Sequence, residues 1–192
     1  MSSAFLVSVG VVALGEIGDK TQLLAMVLAA RYHRPLPICF GILIATLVNH
    51  AMAGAVGILL ADMIHPDTLQ WVLGVSFLLM AGWLLVPDKI DDDPKPLNGL
   101  GVVMTTIVMF FLAEMGDKTQ IATVALAARY DSLIAVVAGS TVGMMLANVP
   151  AVYLGAKAAE RLPLKLVHGL AALLFAALGI FTLLKVSGLV AG

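Results

Sequence analysis

Two stretches of this chain, 98 residues apart, are nearly the same. Leu14 to Tyr32 reads LGEIGDKTQLLAMVLAARY and Leu112 to Tyr130 reads LAEMGDKTQIATVALAARY, with 12 of 19 positions identical and no gap. Chance does not produce such a match, so the chain is two copies of one unit. Beyond the motif the likeness thins, although Gly41 still aligns with Gly139 and Gly57 with Gly155. Between the copies, Pro87 to Asn98 carries Asp91, Asp92, Asp93, Pro94 and Pro96 and reads as a linker that divides the chain nearly in half.

Each copy of the motif is embedded in apolar sequence. Of the 192 residues 61% are hydrophobic and 12% charged, too little polar surface for a soluble domain of this size, so lipid is the expected solvent. A hydrocarbon core of about 30 Å takes about 20 apolar residues per helix, and six spans use up nearly the whole chain. They are expected at about 4–30, 36–61, 68–86, 100–128, 132–156 and 166–187. Pro35 and Pro37 after Arg31 to Arg34, Pro66 within Asp62 to Asp67, and Pro163 before Lys165 each suit a helix boundary. Met1 to Gly15 lacks the positive flank of a signal peptide and is expected to remain as the first span. The net charge of −1, without a basic run, excludes nucleic acid as a partner. Cys39 is the single cysteine, which excludes an internal disulfide and a thiolate metal cluster.

These features predict an all-α membrane protein with six transmembrane helices arranged as two inverted three-helix repeats. The first repeat is expected at 1–87 and the second at 100–192, joined by an acidic cytoplasmic linker at 88–99, all forming one membrane domain. The inversion follows from the odd number: after three spans the second copy must enter from the opposite face. Arg31, Arg34, Lys89, Lys95, Lys157, Arg161 and Lys165 fall on one face, against Arg129 and Lys185 on the other, which puts the first face in the cytoplasm. Both termini are then non-cytoplasmic, and a bacterial inner (plasma) membrane is the expected location.

The motifs Glu16-Ile17-Gly18-Asp19-Lys20-Thr21-Gln22 and Glu114-Met115-Gly116-Asp117-Lys118-Thr119-Gln120 lie near mid-span. At about 2.5–3.5 kcal/mol for each Asp or Lys at a helix centre, six ionisable groups facing lipid would cost on the order of 15–20 kcal/mol. They must face one another or water. On a continuous helix Glu16, Asp19, Lys20 and Gln22 share one arc, while Thr21 lies off it and can bond its own backbone. If both polar faces converge, Glu16, Asp19, Glu114 and Asp117 offer four carboxylates, and Gln22, Gln120, Thr21 or Thr119 further oxygens. Such a set suits Mg²⁺, Ca²⁺ or Mn²⁺. Four carboxylates cannot all stay ionised in a low dielectric, so on metal release they must gain protons or pair with Lys20 and Lys118. Gly18 and Gly116 allow either a helix break or close helix approach.

The bland alternative, buried Glu–Lys pairs as glue between helices, does not explain why the same set recurs symmetrically. Asn49 and Asn148 in the second and fifth spans are possible extra ligands, as is His50, although polar residues in membrane helices more often bond a neighbouring helix. Gly74, Gly82, Gly169 and Gly179 read as packing positions.

Two copies of E-x-G-D-K-[TS], one opening each half, closely resemble the hallmark of the family of Golgi calcium/manganese transporters and bacterial (MneA-like) manganese exporters. The resemblance covers the whole chain in length and plan. It implies a Ca²⁺/H⁺ or Mn²⁺/H⁺ antiporter, not an enzyme, with Glu16, Asp19, Glu114 and Asp117 as metal ligands and Lys20, Thr21, Lys118 and Thr119 in the matching supporting positions. No prosthetic group is implied; the partners are the bilayer, the cation and H⁺. The short N-terminal region resembles the prokaryotic branch, where manganese export is the expected task. The competing readings are an exporter of another substrate such as Cd²⁺ or a basic amino acid, a metal-dependent enzyme acting on lipid headgroups, and a passive channel or assembly subunit. A six-helix bundle can form such a pathway alone, so a functional monomer is expected.

Overall fold

A computed structural model describes residues 2–86, 101–154 and 164–189. The linker with Lys89 and Lys95, and Gly155, Lys157 and Arg161, lie outside the described residues. Within them the chain forms eight α-helices: α1 Ser2–Glu16, α2 Lys20–Tyr32, α3 Pro35–Met63, α4 Pro66–Leu84, α5 Val102–Glu114, α6 Lys118–Tyr130, α7 Leu133–Leu154 and α8 Leu164–Val186. Pro35 and Pro66 open α3 and α4 in the first turn, where a missing N–H forfeits no helical bond. The ends of α2 and α6 match across the repeat: His33 and Asp131, 98 residues apart, are both left-handed (φ 51° and 46°) and donate their N–H to Ala29 O and Ala127 O.

Helices α3, α4, α7 and α8 are each long and apolar enough to cross a membrane, and α1 with α2 makes a fifth candidate, bent by 68° between its two pieces. The second motif breaks in the same place, between α5 and α6. With 13 residues against the 15 of α1, α5 is short, so a membrane-length stretch across it takes in Glu114, Asp117 and Lys118 together. Large apolar side chains such as Leu36, Met63, Leu79, Ile134 and Leu173 face outward, as they do when lipid is the solvent.

The halves exchange partners. Helix α1 packs along α7 and α5 along α3, while α3 crosses α7 and α4 lies along α8. The glycines carry the exchange at atomic detail: a Cβ on Gly139 would meet Phe5 O at 2.5 Å and Ser8 Cβ at 2.9 Å, and one on Gly41 would meet Val103 O at 3.0 Å and Thr106 Cβ at 2.6 Å. All three pairs of equivalents, 41 and 139, 5 and 103, 8 and 106, are again 98 apart. Of the four glycines expected to pack, Gly74 and Gly179 do, against each other's backbone between α4 and α8, whereas Gly82 and Gly169 have nothing among the described residues within 4 Å of where a Cβ would stand.

The exchange is not fully symmetric. The α4–α8 pair leans against α1 and α6. Arg129 at the end of α6 donates to Thr182 Oγ1 and, at 3.4 Å, to Leu178 O of α8, and lies 5.7 Å from the Phe77 ring centroid of α4. Its repeat equivalent Arg31, at the end of α2, is exposed.

Candidate functional site

The acids of the two breaks meet inside the bundle. Each break is a three-residue turn in which glycine takes a left-handed conformation, Gly18 with φ 85° and Gly116 with φ 76°, a region that costs other L-residues about 1–2 kcal/mol. Of the two roles open to these glycines, the break is therefore the one realised. The expectation of one continuous polar arc is corrected accordingly, because Glu16 ends α1 while Lys20 begins α2. Breaking the helices leaves the last carbonyls of α1 and α5 and the first amides of α2 and α6 without helical partners.

Side chains of the motif bond across the turn in the same way in both halves. The Gln22 amide oxygen accepts from Gly18 N at 2.9 Å and that of Gln120 from Gly116 N at 2.7 Å, so these oxygens close the breaks. Their Nε2 groups reach outward, Gln22 to Ala147 O at 3.0 Å and Gln120 to Asn49 Oδ1, and positions 49 and 147 are repeat equivalents. Thr21 Oγ1 donates to Glu16 Oε2 at 2.5 Å and Thr119 Oγ1 to Glu114 Oε2 at 3.2 Å. The threonines thus span the break to hold the glutamates, correcting the expectation that they bond their own helix backbone. That expectation assumed an unbroken helix, in which residue 21 points away from residue 16.

Glu16 and Glu114 are fully buried, and Asp19 and Asp117 are nearly so. Charge pairing crosses between the halves: Lys20 Nζ lies 2.7 Å from Asp117 Oδ1, and Lys118 Nζ lies 3.9 Å from Asp19 Oδ1. Each lysine thereby serves the other copy's aspartate. Asp19 and Asp117 also stand at the N-termini of α2 and α6, where the helix dipole favours negative charge. Carboxylate oxygens of Glu16, Asp19 and Asp117 lie within 4.8 Å of one another, the spacing of ligands around one ion. Glu114 stands outside that trio; its Oε2 is 3.8 Å from His50 Nε2 of α3. Asn148 donates to Met144 O at 3.1 Å and Met144 Sδ at 2.9 Å, and its oxygen has no hydrogen-bond partner among the described residues.

His168 of α8 has no counterpart in the sequence-based reading. Its Nε2 donates to Ile17 O at 2.8 Å, a carbonyl freed by the first break, and a lone histidine near the start of an apolar span carries no signal of that contact.

Membrane-length helices interrupted around a buried, cross-paired set of carboxylates define a polytopic membrane protein of the ion-transporter class, in which breaks of this kind line ion sites. The chain belongs to the GDT1 family: the model described as "Divalent cation/proton antiporter GDT1" matches residues 4–92 and 102–188. A Vibrio cholerae protein named "Putative manganese exporter" is 49% identical over 94% of this chain and 90% of its own length. The "GDT1-like protein sll0615" of Synechocystis is 30% identical over 91% of this chain and 94% of its own, and "GDT1-like protein 4" of Oryza sativa subsp. indica 28% over 90% and 70%. No solved structure matches the chain. The family is one of transporters, not enzymes.

Proposed function

We propose that this protein exports Mn²⁺ from the cytoplasm in exchange for H⁺, with Glu16, Asp19, Glu114 and Asp117 as the transport site. The observation that carries this reading is the meeting of acids from both repeats in one buried, lysine-paired cluster at two matching helix breaks. Membership of a divalent cation/proton antiporter family and the name of the Vibrio cholerae relative support it. Oxygen donors of this kind bind Mn²⁺, Ca²⁺ and Mg²⁺, with Ca²⁺/H⁺ exchange the second reading.

The chemistry supplies the coupling. A divalent ion among the carboxylates offsets their mutual repulsion. When it leaves, protons or the lysines must take its place, because several bare carboxylates are too costly in a low dielectric. Metal and protons therefore compete for the same oxygens, and metal affinity falls as pH falls.

The reciprocal packing of α1 on α7 and α5 on α3 supports six spans in two inverted repeats, with α1–α2 and α5–α6 each crossing as a broken pair, 1–87 and 100–192 being the two units. In a bacterial inner membrane with both termini outside, α1 and α6 form the outer half of the pathway and α2 and α5 the inner half. The α4–α8 pair then closes the outer half, which makes this the cytoplasm-facing state, and transport requires that pair to shift toward α2 and α5. A single chain contains the whole pathway, so a monomer suffices.

The test is metal flux in proteoliposomes, with and without an imposed pH gradient, with Ca²⁺ as competitor. Saturable Mn²⁺ movement that responds to the gradient and disappears in an Asp19→Asn, Asp117→Asn variant is expected. Flux that is indifferent to pH removes the proton coupling, and full activity in the double variant overturns the site.

A further inference from the structure

The motifs are identical across the repeat at Glu, Gly, Asp, Lys, Thr and Gln, so any difference between the two sides of the site must come from the helices behind them. Helix α3 places Asn49 and His50 there; the equivalents on α7, 98 residues on, are Ala147 and Asn148. At the first position the difference is absorbed, since Gln22 uses the Ala147 backbone oxygen where Gln120 uses the Asn49 side chain. At the second it is not. Asn148 bonds Met144 of its own helix, whereas His50 is fully buried and neither ring nitrogen has a hydrogen-bond partner among the described residues.

Two unpaired nitrogens in a buried ring are costly, about 1–3 kcal/mol for each polar group left unsatisfied, and call for an occupant. The ring lies beside Glu114. A gap of 3.8 Å between Nε2 and Oε2 is too long for a hydrogen bond. It does fit two ligands of one cation: donors held at about 2.0–2.6 Å, the range from Mg²⁺ to Ca²⁺, stand roughly 3–5 Å apart. Glu114 is also the motif acid outside the trio of Glu16, Asp19 and Asp117, and it is the one beside His50.

We infer that His50 Nε2 is a direct ligand of the transported ion, entering beside Glu114, and that this nitrogen gives the site its preference for a transition-metal ion over Ca²⁺. The inference rests on the proposed carboxylate site and deepens it. Its chemical basis is that Ca²⁺ takes oxygen ligands, whereas imidazole nitrogen is a good donor to divalent transition metals. The repeat supplies the internal contrast, because a site with asparagine on both sides would hold oxygen donors only.

The experiment uses purified full-length protein in detergent, Mn²⁺ as the probe and two variants. His50→Asn installs the residue of the other half, and His50→Gln carries an amide oxygen to where Nε2 stands. Electron paramagnetic resonance reports bound Mn²⁺, and electron spin echo modulation detects nitrogen coordinated to it. Wild-type protein is expected to bind Mn²⁺ with an imidazole ¹⁴N coupling that both variants lose. In the variants Mn²⁺ binding weakens at least about tenfold, a loss seen even for groups that merely support a ligand, while Ca²⁺ competes better than before. If wild type binds Mn²⁺, the Asp19→Asn, Asp117→Asn variant does not, and both His50 variants keep the nitrogen coupling and the Mn²⁺-to-Ca²⁺ preference, then His50 has no such role and the carboxylate site stands. If wild type fails to bind Mn²⁺, or the double aspartate variant binds it undiminished, the site itself is wrong and this inference falls with it.

Discussion

At the scale of single residues, the breaks depend on two threonines. Thr21 and Thr119 each follow an aspartate by two positions and reach back five to a glutamate across the glycine turn, a contact that an unbroken helix would not make. A hydroxyl donating to a buried carboxylate orients it and still leaves lone pairs on both oxygens for a ligand; among the described residues Glu16 Oε1 and Glu114 Oε1 have no hydrogen-bond partner. Replacing Thr21 with valine keeps the shape and removes the donor. Thr21→Val is expected to weaken Mn²⁺ binding about 10- to 100-fold, the range for groups that orient a metal ligand, while Thr21→Ser stays close to wild type. Titrating both variants with Mn²⁺ under the same conditions checks this, and equal binding in both would remove the threonine from the site.

Helix packing rests on small residues rather than on matching large ones. Without a hydrophobic driving force between helices in lipid, close backbone approach is what stabilises the pairs, and Gly41, Gly57, Gly139 and Gly143 supply it. A Cβ at Gly57 would run into the Val124 carbonyl, and one at Gly143 would stand 2.7 Å from Val9 O. Backbone cannot move aside as a side-chain tip can. Gly41→Leu and Gly139→Leu should therefore destabilise the protein alike, by about 1–3 kcal/mol or more, since each forces apart the equivalent pair, α3 from α5 or α7 from α1. Gly82→Ala, with open space around it, is expected to be neutral or to raise the melting temperature slightly, because alanine favours helix by up to about 1 kcal/mol. Thermal unfolding in detergent measures all three, and a large loss for Gly82→Ala would contradict the packing described.

For the molecule as a whole, the departure from symmetry is what matters. Equivalent side chains sit in unequal surroundings: Lys20 is 33% exposed and Lys118 only 7%, the latter lying 6.0 Å from the Trp83 ring centroid of α4. Arg31 and Arg129 differ in the same sense, and both differences trace to the α4–α8 pair lying on one side. On the proposed inverted-repeat plan, the arrangement with that pair on the other side is the second state of alternating access. On the proposed orientation, in a background with Cys39 replaced by serine, Lys20→Cys is expected to react with a water-soluble thiol reagent about ten times faster than Lys118→Cys when the reagent is on the cytoplasmic side, the ratio expected when a free-energy difference of about 1.4 kcal/mol separates the two sites. Equal rates, or a faster Lys118→Cys from that side, would contradict the assignment of the open half.

Much of this was legible without a structure. The doubled motif, six apolar stretches and boundary prolines pointed to helices, a repeat and a polar interior, because a run of charges inside apolar sequence has few tolerable fates in lipid. The helix ends near Tyr32, Met63 and Tyr130 follow from the same local chemistry. Local pattern did not determine the break. Glycine permits both a left-handed turn and a close contact, and only the arrival of the other half, with Lys20 reaching Asp117 and Lys118 facing Asp19, decides for the turn. The contacts of Thr21, Gln22 and His168 were not legible, since each is made to a group that the helix break places. The place of His50 beside Glu114 was likewise beyond reach, because it depends on α3 packing against α5 across the repeat. Sequence determined which groups had to be hidden from lipid; the tertiary fold decided which of them face one another, because contacts between the two halves are set by packing and not by spacing along the chain.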